Sequence, residues 1–401
     1  MSQVHEGFLG IQCPELRFYG VNNFLHIRAR YKALLQTGKG KELTDGVRAD
    51  PRVKDLLGKL VVVDVNYDQF DLEAFLLWYL SRINNVGEQQ ARRDLDNYLN
   101  AESVTYLLVV WISNIKVDHK IHLFDDYYLV PFDEMPESLE KYMAHDSSGL
   151  HQLGDDVADV ALVRAIEIPK TYASTNGERF LISWIWRSEL NEMLRLVDLL
   201  TLIHGCCAHV SCYTGYLPEN YPFGLFLGFN TDMHIPYTHS HFCGPFEYVR
   251  TADTDMLKKQ LAALLAKSDD EQELITRILQ RISQAKNRIN IEDKILDLGI
   301  VLEMLLLNDQ DQGEMSYRLA LRGAYLLGAS PTDRSCLYAI LRRLYKLRSK
   351  VAHTGQLKGK MSSSATEEID KYFEIVEHVC SHIILSGWPK WDALIMGEGS
   401  D

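Results

Sequence analysis

The stretch YKLRSKVAHTG, residues 345–355, places an arginine and a histidine among lysines near the end of an acidic chain. Arg348 and His353 are five positions apart. A histidine side chain, with a reference pKa of about 6.5, can accept or donate a proton at neutral pH. An arginine offers a fixed fork of donors to a phosphate or a developing oxyanion. The pair therefore has the residue types for acid–base chemistry at a phosphate group.

Basic residues surround this pair. Between positions 341 and 360 there is no acidic residue, and the cations are Arg342, Arg343, Lys346, Arg348, Lys350, Lys358 and Lys360. Two interpretations are open from spacing alone. The cations could form a phosphate-binding patch, or they could be a solvated helix face whose charge is favoured by the dipole at the helix C-terminus.

A helix from Asp333 must position the pair. Its predicted buried stripe consists of Leu337, Ile340, Leu341, Leu344, Leu347 and Val351. At about 100° per residue, position 348 lies about 40° from position 344, at the rim of the stripe, and position 353 lies about 140° further round. The two side chains share a face only if the helix loosens at its end or a second subunit brings its own copy.

This helix is one of several in the last third of the chain. Apolar residues at three-to-four spacing, separated by short polar joints, predict helices at 254–268, 270–286, 290–308, 313–328 and 333–353. Pro331 suits a helix start, and Gly355 suits a helix stop after His353. A further helix is predicted from about Thr366 to Leu385, after a glycine- and serine-rich tract expected to be a mobile loop. The pattern indicates an all-α antiparallel bundle.

Before residue 250 the pattern is different. Short β-branched and aromatic runs begin at Lys59, Val104, Lys120 and Arg179, and they predict strands. A helical pattern lies between them at 71–83. The fold class expected is an α+β domain, residues 1–250, followed by the helical bundle, residues 251–401. The first domain is the candidate for sensing or regulation.

Composition limits the classes of function. A formal charge of −13 over 401 residues disfavours general coating of nucleic acid, so any such site must be local. No export signal and no apolar run of membrane-spanning length is found, and seven cysteines are too sparse for a disulfide framework. We expect a cytoplasmic protein without a membrane partner. The signatures of metalloproteases, Ser-His-Asp hydrolases and dinucleotide-binding enzymes are not found in the sequence.

The ordered segments RILQRISQAKNRINIEDKILDLGIVLEMLLL, RLALRGAYLLG and LYKLRSKVAHTG resemble the HEPN superfamily, and specifically its ApeA-like branch. The resemblance covers about residues 270–385. The hallmark of the superfamily is an arginine followed after four to six residues by a histidine at the end of a bundle helix, which lands on Arg348 and His353. In many members the pair is a metal-independent ribonuclease site, completed by dimerisation.

The resemblance implies the following function for this chain. Arg348 and His353 would be catalytic, with Arg342, Lys346, Ser349 and Lys350 contacting RNA, and no metal or cofactor is needed. The product would be a 2′,3′-cyclic phosphate, and DNA would resist cleavage because it lacks the 2′-hydroxyl. ApeA-like members occur in anti-phage defence, which implies abortive infection by a homodimer whose N-terminal domain answers a phage-derived or nucleotide trigger.

One departure keeps an alternative open, because Ser349 stands where the superfamily often has asparagine, aspartate or histidine. In the matching neighbouring helices, Arg318, Arg322 and Glu303 suit salt-bridging or packing better than RNA contact. The alternative is a non-catalytic HEPN module that dimerises or binds RNA in a defence or toxin–antitoxin system.

A second cluster of chemically active residues lies between positions 204 and 243. Its members are His204, Cys206, Cys207, His209, Cys212, His239, His241 and Cys243. Imidazole and thiolate groups are zinc ligands, but the paired C-x2-C spacing is not found, and cysteines are often buried as small apolar residues. We therefore assign no metal ligands here, and the sequence leaves open whether this cluster binds a metal.

Overall fold

A computed structural model of the chain describes two compact units. The first unit consists of Met1–Ile112, Asp125–Glu192 and Val210–Pro236, and the second of Ser113–Phe124, Met193–His209 and Tyr237–Asp401. The residues described are 5–6, 12–13, 21–63, 66–135, 158–172, 180–181, 187–203, 206–217, 221–222, 247–250, 253–308 and 314–397. The division at residue 250 stays a prediction, because the compact units are each built from separate segments.

Strands occur mainly in the first unit. In chain order the strands are β1 His5–Glu6, β2 Gln12–Cys13, β3 Leu60–Val63, β4 Asn66–Gln69, β5 Ser103–Ser113, β6 Ile115–Lys116, β7 Ile121–Phe124, β8 Tyr127–Pro131, β9 Val160–Pro169, β10 Thr171–Tyr172, β11 Phe180–Leu181, β12 His209–Tyr216 and β13 Glu247–Tyr248. One sheet has the order β10-β3-β4-β11, and its strand pairs are antiparallel. In a second sheet β12, β5, β9 and β8 lie side by side in that order.

The long strands form because their sequences are rich in β-branched and aromatic residues. β5 has the sequence SVTYLLVVWIS, and its first half alternates between buried and half-buried positions before both faces become buried. It pairs with β9 from Ser103 opposite Pro169 to Ile112 opposite Val160. Trp111, fully buried on β5, packs with Phe132 in the core. The strands expected from Lys59, Val104 and Lys120 are confirmed in this part of the chain.

Helices occur in both units and dominate the second. In chain order the helices are α1 Val21–Leu35, α2 Gly38–Ala49, α3 Pro51–Leu56, α4 Leu72–Val86, α5 Glu88–Asn100, α6 Arg187–Leu200, α7 Thr254–Leu265, α8 Asp269–Asn287, α9 Ile291–Leu306, α10 Met315–Leu327, α11 Pro331–Thr354, α12 Lys360–Ser386 and α13 Trp391–Met396. The predicted succession of an α+β part and an all-helical part is confirmed. α9 is in the middle of the helical part, with contacts to α8, α10, α11 and α12.

The boundaries of α11 follow from its sequence. Ser330 accepts a hydrogen bond from the backbone of Asp333, whose carboxylate accepts one from the backbone of Ser330, and Pro331 occupies the first helical position. The helix ends at Gly355, which adopts a φ of 70° that favours glycine. Both predicted boundaries, the proline start and the glycine stop, are confirmed.

Two expectations for this region are wrong. Leu337 and Ile340 are half-exposed, and full burial on α11 begins only at Leu341. The glycine- and serine-rich tract is helical from Lys360, six residues before the predicted start at Thr366. Contacts from α11 explain the second difference, because Arg343 donates a hydrogen bond to Ser364 and pairs with Glu368 at 2.9 Å.

Among the described residues, no helix combines the length and the apolar character needed to cross a bilayer.

Candidate functional site

Arg348 lies where α11 packs against α9. Its side chain is 25% exposed, and its stem passes directly over Gly299. A Cβ atom at position 299 would lie 2.4 Å from the Arg348 Cγ atom, which is far inside van der Waals contact. Glycine at position 299 therefore makes room for the arginine between the two helices.

The guanidinium of Arg348 is held by Glu303, one turn further along α9. The Arg348 Nη2 atom donates to Glu303 Oε2 at 2.8 Å, and the Glu303 side chain is only 18% exposed. On the other side the guanidinium lies 5.8 Å from the centre of the Tyr345 ring. Burial, and then the negative charge of Glu303, raise the pKa of Tyr345. The arginine is thus oriented by a carboxylate and an aromatic ring.

This ion pair is incompletely satisfied. The second carboxylate oxygen, Glu303 Oε1, and the arginine Nε atom are both buried and have no hydrogen-bond partner in the part of the chain that is described. A buried polar atom without a partner costs about 1 to 3 kcal/mol. The Glu303 Oε1 atom can therefore accept, and the Arg348 Nε atom can donate, a further hydrogen bond.

His353 occupies a different environment. It is exposed on the last turn of α11, and the helix remains regular through Thr354. The Gly355 N–H donates to the Val351 carbonyl at 2.7 Å and closes the helix. Since the helix does not loosen, the separation of about 140° between positions 348 and 353 is retained. Within one copy of the chain, Arg348 and His353 point in different directions around α11.

The other predicted contact residues lie on the same helix. Arg342, Lys346 and Lys350 are exposed, and Ser349 is half-exposed. Arg343, part of the same basic segment, forms the ion pair with Glu368 of α12. The patch is therefore less basic than the sequence of 341–360 suggests, because acidic residues from α9 and α12 pair with two of its arginines.

The structural roles expected for neighbouring charged residues are confirmed for two of the three. Glu303 forms the ion pair with Arg348. Arg322 is buried, donates to the Leu306 carbonyl at 2.7 Å and lies over the Trp391 ring. Arg318 is half-exposed on α10. The sequence analysis did not predict that Gly299 permits close packing of Arg348 against α9. A glycine in the middle of a helical pattern is a signal of such close packing.

The histidine and cysteine cluster is only partly described. Cys206, Cys207 and Cys212 are buried and have free thiols, and the Cys207 Sγ atom lies 3.1 Å from the Asn287 Oδ1 atom. Burial raises the pKa of Cys207, and it raises that of Cys212 to about 12. Protonated thiols are poor metal ligands. His204, His239, His241 and Cys243 lie outside the described residues.

No group of three or more histidine, cysteine, aspartate or glutamate side chains suited to a metal ion is found within the ranges that the structure describes.

Comparison of the chain with protein-family models, with curated proteins and with solved structures finds no match.

Proposed function

We propose that this chain is a metal-independent endoribonuclease of the HEPN type whose active site combines Arg348 and His353 from two copies of the chain. The end of α11 supports the proposal. It exposes the His353 imidazole beside a row of exposed cations, while Glu303 and Tyr345 orient the Arg348 guanidinium at the edge of the bundle. These are an acid–base group, a phosphate-binding surface and an oriented guanidinium.

The proposed reaction needs two proton transfers. One imidazole accepts the proton of a ribose 2′-hydroxyl as the 2′-oxygen bonds to phosphorus. The bond from phosphorus to the 5′-oxygen breaks, and the same imidazole, now protonated, donates a proton to that leaving oxygen. Arg348 stabilises the additional negative charge on the phosphoryl oxygens with its fork of N–H donors. The products are a 2′,3′-cyclic phosphate end and a 5′-hydroxyl end.

A homodimer accounts for the geometry of α11. The two side chains diverge by about 140° around one regular helix, so one copy does not bring them together. In a two-fold dimer each surface meets its own counterpart, and the Arg348 of one copy can face the His353 of the other. The dimer therefore brings together two pairs of Arg348 and His353, and each pair is made from both copies.

The biological role proposed is cytoplasmic anti-phage defence by abortive infection, with the N-terminal part of the chain restraining the nuclease until a phage-derived or nucleotide trigger binds. This role is inferred from the resemblance to the ApeA-like branch, and not from the arrangement of residues in the structure.

Incubation of the purified protein with total RNA tests the activity. We expect discrete cuts with cyclic-phosphate ends that persist in EDTA, and we expect Arg348→Ala and His353→Ala each to abolish them. Arg277→Ala, which removes a 60% exposed arginine from α8, is the matched control and should cut like the parent. Equal cutting by all the variants would remove the catalytic assignment, and cleavage lost in EDTA and restored by zinc would reassign it to a metal site.

A second candidate function is supported by the Arg348–Glu303 pair. An arginine that is already paired with a carboxylate of the same chain can have a purely structural role. A HEPN module that only dimerises or binds RNA would require no other role of Arg348. A gel shift of RNA without new ends, unchanged by His353→Ala, would favour this non-catalytic function over cleavage.

A further inference from the structure

Aromatic and cationic side chains alternate along one face of the helical pair α10 and α11. From α11 the ladder contains Arg334, Tyr338, Arg342 and Tyr345, and from α10 it contains Tyr317 and Tyr325. The four α11 positions lie within a sector of about 80° around the helix axis at 100° per residue. They extend over about 16 Å of helix length at 1.5 Å per residue.

The members of the ladder contact one another across the two helices. Arg334 lies 4.6 Å from the centre of the Tyr325 ring, and Arg342 lies 5.8 Å from that of Tyr338. The Tyr338 ring meets the Tyr317 ring edge to face at 6.2 Å. These contacts, within α11 and between the two helices, orient the flat groups relative to one another.

The ladder is partly open to solvent. Tyr317 is 46% exposed, and Met315 beside Tyr345 is 38% exposed. Arg342 is also exposed, and the other four members of the ladder are half-buried. Part of the aromatic surface is therefore available to another molecule.

The charge on these two helices indicates what that molecule is. α10 and α11 together contain the basic residues Arg318, Arg322, Arg334, Arg342, Arg343, Lys346, Arg348 and Lys350, and the acidic residue Asp333. Asp333 is engaged at the N-cap of α11. Arg322 is buried, and Arg343 and Arg348 are paired with Glu368 and Glu303. The exposed cations Arg342, Lys346 and Lys350 still make this pair of helices a local basic surface on a chain with a net charge of −13. It fits a polyanion with flat apolar groups, which describes single-stranded nucleic acid.

We propose that the ladder binds single-stranded RNA, with bases stacking on the tyrosine rings and guanidinium planes and phosphates meeting Arg342 and Lys346. Stacking of bases on tyrosine and arginine is the usual way in which proteins hold unpaired RNA. The choice of RNA rests on the proposed ribonuclease function. The ladder leads along α11 to Tyr345, whose ring contacts Arg348, so a bound strand extends toward the proposed cleavage site.

The test uses an RNA that cannot be cut, so that binding is measured apart from cleavage. The probe is a fluorescein-labelled RNA of about 12 nucleotides, within the usual range of single-strand sites, with every 2′-hydroxyl methylated. Binding of the full chain is followed by fluorescence anisotropy. We expect Tyr338→Ala and Tyr317→Ala each to weaken binding by about tenfold or more, and Tyr338→Phe to bind like the parent because it keeps the ring.

Charge variants distinguish RNA binding at the ladder from a nonspecific electrostatic attraction of RNA to the protein. We expect Arg342→Ala to weaken binding and to lower the slope of log affinity against log salt by about 0.7, the loss of one phosphate contact on a single strand. Arg277→Ala, the exposed arginine on α8, should leave both quantities unchanged. Equal losses in both arginine variants would overturn the ladder as the binding surface.

The remaining outcomes are also decisive. No binding by the parent, or full binding by Tyr338→Ala, would overturn the proposal. Binding unchanged while Tyr338→Ala converts a dimer to a monomer would make the ladder a protein interface instead, which also overturns it. Ladder-dependent binding of the methylated RNA by a protein that never cuts natural RNA would support the ladder while the proposed catalytic function fails.

Discussion

At the scale of single residues, the pairing of Arg348 with Glu303 is the main determinant of what the site can do. A guanidinium held at 2.8 Å by a carboxylate has one orientation, and the half-buried setting makes that orientation persistent. An arginine that must later meet a phosphate benefits from such positioning, since less side-chain freedom is lost on binding. The same pair links two helices of the bundle, so it contributes to stability as well.

A double-mutant cycle measures that contribution. We expect Glu303→Gln, Arg348→Gln and the double variant to give a coupling free energy of about 1 to 2 kcal/mol, between the values for exposed and fully buried pairs. The measurement is chemical denaturation followed by circular dichroism.

The control is the Glu273–Arg277 pair on α8, which is i,i+4 with side chains 70% and 60% exposed. Its coupling should be no more than about 0.5 kcal/mol. A coupling at Glu303–Arg348 as small as that of the control would show that solvent screens the pair and that Glu303 does not position the arginine.

Asp198 on α6 is a second residue with a measurable consequence. Burial raises the pKa of Asp198 to about 7, and a hydrogen bond with Gln280 acts in the opposite direction. The folded chain therefore keeps a proton that the unfolded chain releases near pH 4. The free energy of unfolding should fall as the pH rises from about 4 to about 7, and then become level.

Replacing this carboxyl by a neutral amide removes that dependence. We expect Asp198→Asn to match the parent near pH 4 and to be more stable at pH 8, by on the order of 2 to 4 kcal/mol. Chemical denaturation of the variant and the parent at the two pH values measures this difference in the free energy of unfolding. Asp126→Asn, at an exposed turn, is the control and should shift stability equally at both pH values. Equal stability of Asp198→Asn and the parent at pH 8 would show that Asp198 is ionised at little cost.

At the scale of elements, the contact between α9 and α11 depends on Gly299. A helical glycine normally costs about 1 kcal/mol relative to alanine, so alanine should stabilise an open helical site. At position 299 the added methyl group would lie 2.4 Å from Arg348 Cγ and 3.0 Å from its Cβ. The helices would have to separate, or the arginine would have to leave Glu303.

We therefore expect opposite effects from the same substitution at two sites. Gly299→Ala should destabilise the chain by about 1 to 3 kcal/mol, as overpacking does. Gly46→Ala, on α2 with no atom within 4 Å of the added Cβ, should stabilise it by about 0.5 to 1 kcal/mol. Thermal and chemical unfolding of both variants provide the comparison. Stabilisation by both would mean that Arg348 moves aside freely and is not held in one position.

Much of the helical part could be predicted from sequence because its signals are local. Pro331, Gly355 and the Ser330–Asp333 capping pair all act within a few residues of the ends of α11. The early start of α12 could not be predicted, because serine and glycine favour loops and the contacts of Arg343 with Ser364 and Glu368 come from another helix. Long-range contacts of that kind override local propensity.

The same distinction applies to the candidate site. The types and spacing of Arg348 and His353 are evident in the sequence, and so is the angle between them. Their partners are not, because Glu303 is 45 residues away from Arg348 along the chain. The ladder was also missed, since Tyr317 and Tyr338 come together only when α10 packs on α11.

At the scale of the whole molecule, an acidic protein with a basic helical pair is suited to local rather than general contact with RNA. The net charge of −13 disfavours general attraction of nucleic acid to the surface. The proposed RNA binding is then directed to the α10 and α11 face. For the proposed nuclease, this limits contact with RNA that is not a substrate.

The requirement for two copies gives the last prediction. If each active site takes Arg348 from one subunit and His353 from the other, a mixed dimer of Arg348→Ala and His353→Ala chains has one site with both residues intact. Random re-association of equal amounts makes half of the dimers mixed, so the mixture should recover about a quarter of the parent activity. Each variant alone should be inactive.

The measurement is RNA cleavage by the two variants co-expressed with different tags. Mixed dimers purified from that mixture should reach about half of the parent activity, because one of their two sites is intact. Mixing Arg348→Ala with the double variant, which lacks both groups in one chain, is the matched control and should recover nothing, because no pair of subunits then joins an intact arginine to an intact histidine. Recovery in neither mixture, with dimers present, would place both groups in a site of one chain. The regular end of α11 argues against that outcome, because it keeps the two side chains about 140° apart.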